Sequence, residues 1–188
     1  VGDKELGLGK YWVDELLKPC SDLTPRSHLS GLSIFFQDDP HEYRSLIMIP
    51  DQKIQDIVYD IIIKRKDEKK YLGQTYNMAS NYLNPTEQNS TQYVTEILAA
   101  AMMSIKQKDA YKKIKSRSDV FPFLKQTGYR QTKVVTTGLK ASFISTGLAP
   151  KSMNVHSSEN KYADALGVIE FNTELALREY LIRQKALL

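Results

Sequence analysis

Cysteine is almost absent from this sequence, which has Cys20 as its single example among 188 residues. One cysteine excludes an internal disulfide and a metal site built from several cysteines. An unpaired thiol is also more typical of a reducing cytosol than of an exported protein. The cysteine content alone therefore argues mildly against export.

Histidine is scarce as well, and we place all three examples, His28, His41 and His156, in polar loops. None has the spacing to carboxylates that is typical of a metal site. We therefore predict no metal ion and no cofactor. Loop histidines of this kind are more often solvent-exposed than catalytic.

Long apolar runs are missing too. No run approaches the roughly 20 residues that a membrane-spanning helix needs, and no basic-then-apolar signal peptide stands at the start. The chain begins at Val1 without a methionine, which fits a processed secreted protein or a trimmed chain. We expect no transmembrane segment, so any membrane association would go through partners.

The charge is moderately positive, with a net charge of +4 and a pI near 9.0. Basic residues cluster at 64–70 and 111–117, but Asp67 and Glu68 interrupt the first run. Positive residues at the end of a helix also complement its dipole. We interpret both runs as solvated faces and do not expect nucleic-acid binding.

The hydrophobic content of 41% suffices for one well-packed domain, which we assign to residues 1–188. Tyr11–Leu17 fits either a strand or a helix, and Ser30–Phe36 fits a short helix. Strands are expected at Tyr43–Ile49, Lys133–Thr137, Ala141–Ser145 and Leu166–Phe171. Further helices are expected from Ile54 to Lys66, from Asn89 onward, at Asp109–Lys115 and after Asn172 or Thr173. Helices with a small, largely antiparallel sheet make the predicted fold α+β.

The most informative segment runs from Tyr76 to Ala101, where polar turn residues precede an apolar helix. Pro85 to Gln88 is typical of a turn, and Asn89 followed by Gln92 resembles a capping box that starts a helix. One helical face then carries apolar side chains and should contact the core. That face consists of Val94, Ile97, Leu98, Ala101 and Met102.

Ser90 falls in the first turn of this helix, where free N–H groups and the macrodipole stabilise an anion. Two interpretations follow: Ser90 is a nucleophile, or it is an ordinary residue at a helix start. Three asparagines, Asn77, Asn84 and Asn89, flank the turn. We expect them to be buried and to satisfy backbone groups of a rigid loop.

Short motifs of this segment occur in the same order in a known bacterial family: Tyr76-Asn77, Asn84-Pro85 and Gln88-Asn89-Ser90. The earlier segments 16–20 (LLKPC) and 31–50 agree with the same pattern. Residues Trp12 to Ala101 thus resemble the family named domain of unknown function 2145, and the last predicted strand, near Tyr162 to Phe171, resembles it more weakly. That family also has a serine–histidine pair before its tryptophan, for which this chain offers no counterpart that we can place.

The resemblance implies export, and hence a periplasmic or outer-membrane-associated protein. The expected architecture is also similar to papain-like and NlpC-type hydrolases, in which a cysteine starts a helix packed on a sheet. Asn89-Ser90 looks like the serine counterpart of the asparagine–cysteine pair in the permuted members. A base would have to come from His28, His41 or His156, and we rank His28 and His156 with Ser90 as the catalytic candidates.

Our leading hypothesis is a non-catalytic structural or accessory component of a bacterial cell-envelope assembly, for example a secretion-system core complex, whose partners are other envelope subunits. The alternative is a serine-dependent acyl or peptide hydrolase or transferase that uses Ser90. The candidate binding residues all belong to the segment from Tyr76 to Ala101, which we call the signature segment. They are Tyr76, Asn77, Asn84, Gln88, Asn89 and Ser90.

Overall fold

Five helices and three two-stranded sheets make up the described part of the computed structural model, which covers residues 12–18, 22–31, 47–63, 68–78, 80–135, 168–171 and 173–187. Two of the three strand pairs are antiparallel and one is parallel. The fold is therefore α+β, as predicted. A papain-like or NlpC-like arrangement stays a prediction.

The first sheet is an antiparallel hairpin of β1 (Trp12–Leu17) and β2 (Arg26–Gly31). The segment that fitted strand or helix is thus a strand. The helix expected from Ser30 was wrong at its start, because Ser30 and Gly31 end β2. The rest of that expected helix, 32–36, lies outside the described residues.

The second sheet consists of two short parallel strands, β3 (Thr75–Tyr76) and β4 (Glu87–Gln88). The turn expected at Pro85–Gln88 was therefore wrong in its second half. Glu87 and Gln88 pair with β3 because their backbones are buried and need hydrogen-bond partners.

The helix expected from Ile54 is α1 (Gln52–Ile63). Ile54 and Ile61 on its inner face are buried to 2% and 0% exposure. The strand expected at Tyr43–Ile49 was wrong for 47–49, which form neither strand nor helix. Its earlier residues, 43–46, lie outside the described part of the chain.

Helix α2 (Ser90–Lys106) is the central element of the core. Every residue from Thr95 to Met102 is buried, so the helix is covered around its whole circumference there. The predicted apolar face is correct except for Val94, which is 38% exposed. Val94 precedes the fully covered turns and faces the remaining open strip.

Two short helices follow, α3 (Ala110–Lys113) and α4 (Phe121–Gln126), with a 3-10 turn at Arg117–Val120 between them. α3 is shorter than the predicted Asp109–Lys115. Pro122 lies in the first turn of α4, where its missing N–H costs nothing.

The third sheet pairs β5 (Thr132–Val135) with β6 (Val168–Phe171) in antiparallel register. The strand predicted at Ala141–Ser145 lies outside the described residues. Helix α5 (Glu174–Arg183) follows, and Thr173 is its cap because its hydroxyl accepts the Ala176 N–H. The core then joins α1, α2, α4 and α5 with Leu16 of β1.

Candidate functional site

In the signature segment, the two ends of the loop that precedes α2 are hydrogen-bonded to each other. The Gln74 N–H donates to Thr86 O at 2.8 Å, and the Asn77 N–H donates to Gln88 O at 3.0 Å. These bonds extend the short pairing of β3 with β4. Residues 77–86 are thus held at both ends directly beneath the helix start.

Asn84 organises the turn. Its Oδ1 accepts the Thr86 N–H, the Thr86 hydroxyl and the Glu87 N–H, each at 2.9 Å. Its Nδ2 donates to Glu87 Oε2 at 2.9 Å, and the Asn77 Nδ2 donates to the same oxygen at 3.0 Å. Two asparagine amides therefore solvate the Glu87 carboxylate, which is only 8% exposed.

Asn89 caps α2 as predicted: its Oδ1 accepts the Gln92 N–H at 2.7 Å, and its Nδ2 donates to Met78 O at 3.0 Å. The second bond of the predicted capping box, from the Asn89 N–H to the Gln92 side chain, is not formed. Gln92 is buried beneath the loop, so its amide donates to Asn81 O at 3.2 Å. Asn77, Asn84 and Asn89 are 1%, 3% and 5% exposed, which confirms the prediction that they are buried.

A buried ion pair lies one turn further along α2. The Arg117 guanidinium donates from Nη2 to Glu96 Oε1 at 2.7 Å and from Nε to Glu96 Oε2 at 3.0 Å. Glu96 is 0% exposed and Arg117 is 2% exposed. Burial raises the pKa of Glu96, and the adjacent guanidinium opposes that shift.

Gln88 connects this pair to the signature loop. Its Nε2 donates to Glu96 Oε2 at 2.8 Å and to Tyr71 O at 2.7 Å, and its Oε1 accepts the Gly73 N–H at 2.8 Å. A Cβ on Gly73 would lie 2.8 Å from the Gln88 Cβ, so only glycine allows this approach. Arg117 Nη1 also donates to Glu87 O at 2.8 Å.

Sequence reasoning missed Glu96 and Arg117. A signal was present for Glu96, because a carboxylate between Tyr93 and Ala100 interrupts an otherwise apolar helix. Such a residue is rarely buried unless it is paired. Nothing in the sequence marks Arg117, among many basic residues, as its partner.

Ser90 is the first residue of α2, as predicted, and its hydroxyl links two parts of the fold. Its Oγ donates to Leu16 O of β1 at 2.9 Å and lies 3.2 Å from the Tyr76 hydroxyl. A serine hydroxyl has one proton, so Tyr76 is the donor in the second bond. Neither a backbone carbonyl nor a phenol accepts a proton as a base at neutral pH.

The prediction that His28 lies in a loop was wrong. His28 belongs to β2, where it pairs with Glu15. It is exposed. Strand side chains alternate between two faces, and Asp14 of β1 points towards α2, since its Oδ2 accepts the Tyr93 hydroxyl at 2.8 Å. Glu15 and His28 therefore lie on the opposite face, and the structure does not bring His28 to Ser90.

His41 and His156 lie outside the described residues. Within the described ranges, no group of three or more His, Cys, Asp or Glu side chains is placed to hold a metal ion. Among the helices of those ranges, none combines the length and apolar character of a membrane span.

A family model described as an uncharacterised protein conserved in bacteria, domain of unknown function 2145, matches residues 2–177. The chain belongs to this family. The match to domain of unknown function 2145 reaches well beyond the Trp12–Ala101 stretch that carried the resemblance, and it includes β5 and β6. Neither the curated proteins nor the solved structures gave a match.

Two buried asparagines of this family member, Asn77 and Asn89, differ in what their side chains bond and so should differ in their contribution to stability. Asn89→Ala should lower the free energy of unfolding by about 1 kcal/mol through the lost cap. Asn77→Ala should cost about 1.5–3 kcal/mol, because its amide bonds a buried carboxylate. Urea unfolding measures both values.

Asn81 supplies the control. Its side chain accepts one N–H, from Leu83, in an exposed turn, so Asn81→Ala should cost less than either variant. Equal losses at all three positions would contradict the structural role of the buried amides.

Proposed function

We propose that this protein is a non-catalytic structural or accessory component of a bacterial cell-envelope assembly, with a secretion-system core complex as one setting. The observation that carries the non-catalytic part of the proposal is the bond from the Ser90 hydroxyl to Leu16 O. Ser90, the nucleophile candidate from the sequence, donates its hydroxyl proton to a backbone carbonyl and so holds β1 against α2. Its environment is that of a structural hydroxyl.

The polar signature residues support the same proposal. Asn77, Asn84, Gln88 and Asn89 are all buried and hydrogen-bonded inside the fold. Side chains used in this way build a rigid loop and are not available to a ligand. Their place in the sequence is therefore explained by loop architecture.

The surface of the same loop offers apolar contact. Met78 is 50% exposed and Leu83 is 40% exposed, and both project from the rigid segment between β3 and β4. The β3–β4 pairing already fixes the backbone that carries them, so a partner that covers them does not have to order the loop. These two residues are our candidates for contact with other envelope subunits.

Localisation in the periplasm or at the outer membrane is part of the proposal. It rests on the resemblance to a family whose members are typically exported. We expect the protein to reach the membrane through its partners.

The alternative is a serine-dependent acyl or peptide hydrolase or transferase of papain-like fold. It is favoured by one observation, the position of Ser90 at the positive end of a 17-residue helix. It needs a base close to the Ser90 hydroxyl, and His28 lies on the other face of the hairpin. Labelling of Ser90 by a fluorophosphonate probe would support this alternative and contradict our proposal.

Ser90→Ala tests the structural interpretation. The change removes both hydrogen bonds of the Ser90 hydroxyl, each with a net value of about 0.5–1.5 kcal/mol, so it should cost about 1–3 kcal/mol and should leave partner binding and cellular function nearly intact. Thermal unfolding and a complementation assay measure the two effects. Complete loss of function at wild-type thermal stability would contradict the proposal.

Affinity isolation from native bacterial membranes tests the proposal itself. The tagged protein should recover a stable set of envelope proteins, and the double variant Met78→Ser, Leu83→Ser should lose them. Leu175→Ser, at a residue 60% exposed on α5, is the matched control and should retain them. Recovery of no envelope protein by the wild-type chain would overturn the proposal.

A further inference from the structure

A recess of about 270 Å³ lies where the start of α1, the last turns of α2, helix α4 and the segment after α5 meet. Five apolar side chains form its floor and walls: Ile54, Met102, Ile105, Phe123 and Ala186. Ile54 and Met102 are 2% and 6% exposed, whereas Ile105 is 46% exposed. The recess thus has a fixed apolar base and an open apolar wall.

Three lysines from three separate segments stand around this recess, Lys53 of α1, Lys106 of α2 and Lys185 after α5. The Lys106 ammonium lies 5.2 Å from the centroid of the Phe123 ring. All three lysines are exposed. Three ammonium groups against the carboxylate of Asp51 leave the described lining with a net positive charge.

The rim also has two sources of negative charge, a carboxylate and a helix end, and each already interacts with a neighbouring group. Among the residues that the structure describes, Asp51 is the one carboxylate that lines the recess, and its Oδ1 accepts the Lys53 N–H at 2.9 Å at the start of α1. The C-terminal end of α2 contributes a partial negative charge, which Lys106 in the last turn offsets. The first turn of α1 adds a partial positive charge, so the rim remains cationic.

We propose that this recess binds a small amphipathic carboxylate, with the apolar tail on Ile54, Met102 and Phe123 and the carboxylate among the three lysines. A half-open volume of about 270 Å³, just below the usual range for ligand pockets, fits only a small molecule. A protein partner would instead need roughly 800 Å² of surface from each side. This site goes beyond the proposed envelope function and does not depend on it.

Calorimetric titration of the full chain with octanoate tests the site. Octanoate should bind at one saturable site. Adding methylenes from hexanoate to octanoate should tighten binding about fourfold per group, as expected for burial of a methylene. Octanol, which has the same tail and no charge, should bind at least tenfold more weakly than octanoate.

Two triple variants of equal net charge locate the carboxylate. Lys53→Gln, Lys106→Gln and Lys185→Gln together should weaken octanoate binding at least about eightfold, since each lost contact contributes about twofold to fivefold. Lys108→Gln, Lys113→Gln and Lys115→Gln together remove the same charge away from the recess and should leave binding within twofold. Ile105→Ser should reduce the gain per added methylene.

Three results would overturn the assignment. They are the absence of saturable octanoate binding to the wild-type chain, equal binding of octanoate and octanol, and equal weakening by both triple variants. Thermal unfolding of every variant shows that the fold is retained, and all substituted positions are exposed residues.

Discussion

Replacing Glu96 by glutamine is expected to lower the free energy of unfolding by about 3–5 kcal/mol. The change leaves the Arg117 guanidinium buried at 2% exposure without its counter-charge. It also turns one of the two acceptor oxygens, which take bonds from Arg117 and from the Gln88 amide at 2.8 Å, into an amide nitrogen that can only donate. Chemical denaturation followed by circular dichroism measures the loss.

A double variant separates the ion pair from simple packing. Glu96→Leu combined with Arg117→Met removes both charges and should recover a large part of the loss, because an apolar pair of similar volume has no desolvation cost. Lys112→Gln is the control, since it breaks an exposed pair with Asp109 at 3.1 Å and should cost below about 1 kcal/mol. A Glu96→Gln cost equal to that of Lys112→Gln would show that the pair is not buried in solution.

The second large effect is expected at Ile61 on the inner face of α1. Ile61→Ala should lower the free energy of unfolding by about 2–5 kcal/mol, because Ile61 is 0% exposed and its truncation leaves a cavity. The wide range reflects how far α1 and α2 can close over the lost volume. Urea unfolding at constant m-value is the appropriate measurement.

Ile63 offers a matched control two residues further along the same helix. It is 46% exposed, so Ile63→Ala should change stability by no more than about 0.5 kcal/mol. A loss below about 0.5 kcal/mol for Ile61→Ala would show that this helical face does not pack in the core.

Features set by near neighbours in the sequence were predictable. The spacing of Ile54 and Ile61 predicted α1. Asn89 was recognised as a cap, and the cap of α5 was narrowed to Asn172 or Thr173, because a cap contacts residues only three positions away. The burial of the signature asparagines followed from the same local turn chemistry.

Features set by distant residues were not predictable. Glu96 and Arg117 are 21 positions apart, and either one alone is typical of a solvated residue. Glu87 and Gln88 were taken for a turn because a two-residue strand has no visible alternation, and its partner β3 is equally short. His28 was placed in a loop because its polar neighbours conceal the pairing with β1, which only the tertiary fold supplies.

The attachment of the β1–β2 hairpin to α2 has a consequence for the order of folding. The hairpin can form locally, but its hydrogen bonds to Ser90 and Tyr93 join residues 74 and 79 positions apart. Contacts of such separation must overcome the entropy of closing a long loop, whereas the ion pair and the signature loop close much shorter ones. We therefore expect the signature loop and α2 to become protected from hydrogen exchange first, with the hairpin docking onto them in a later, slower step.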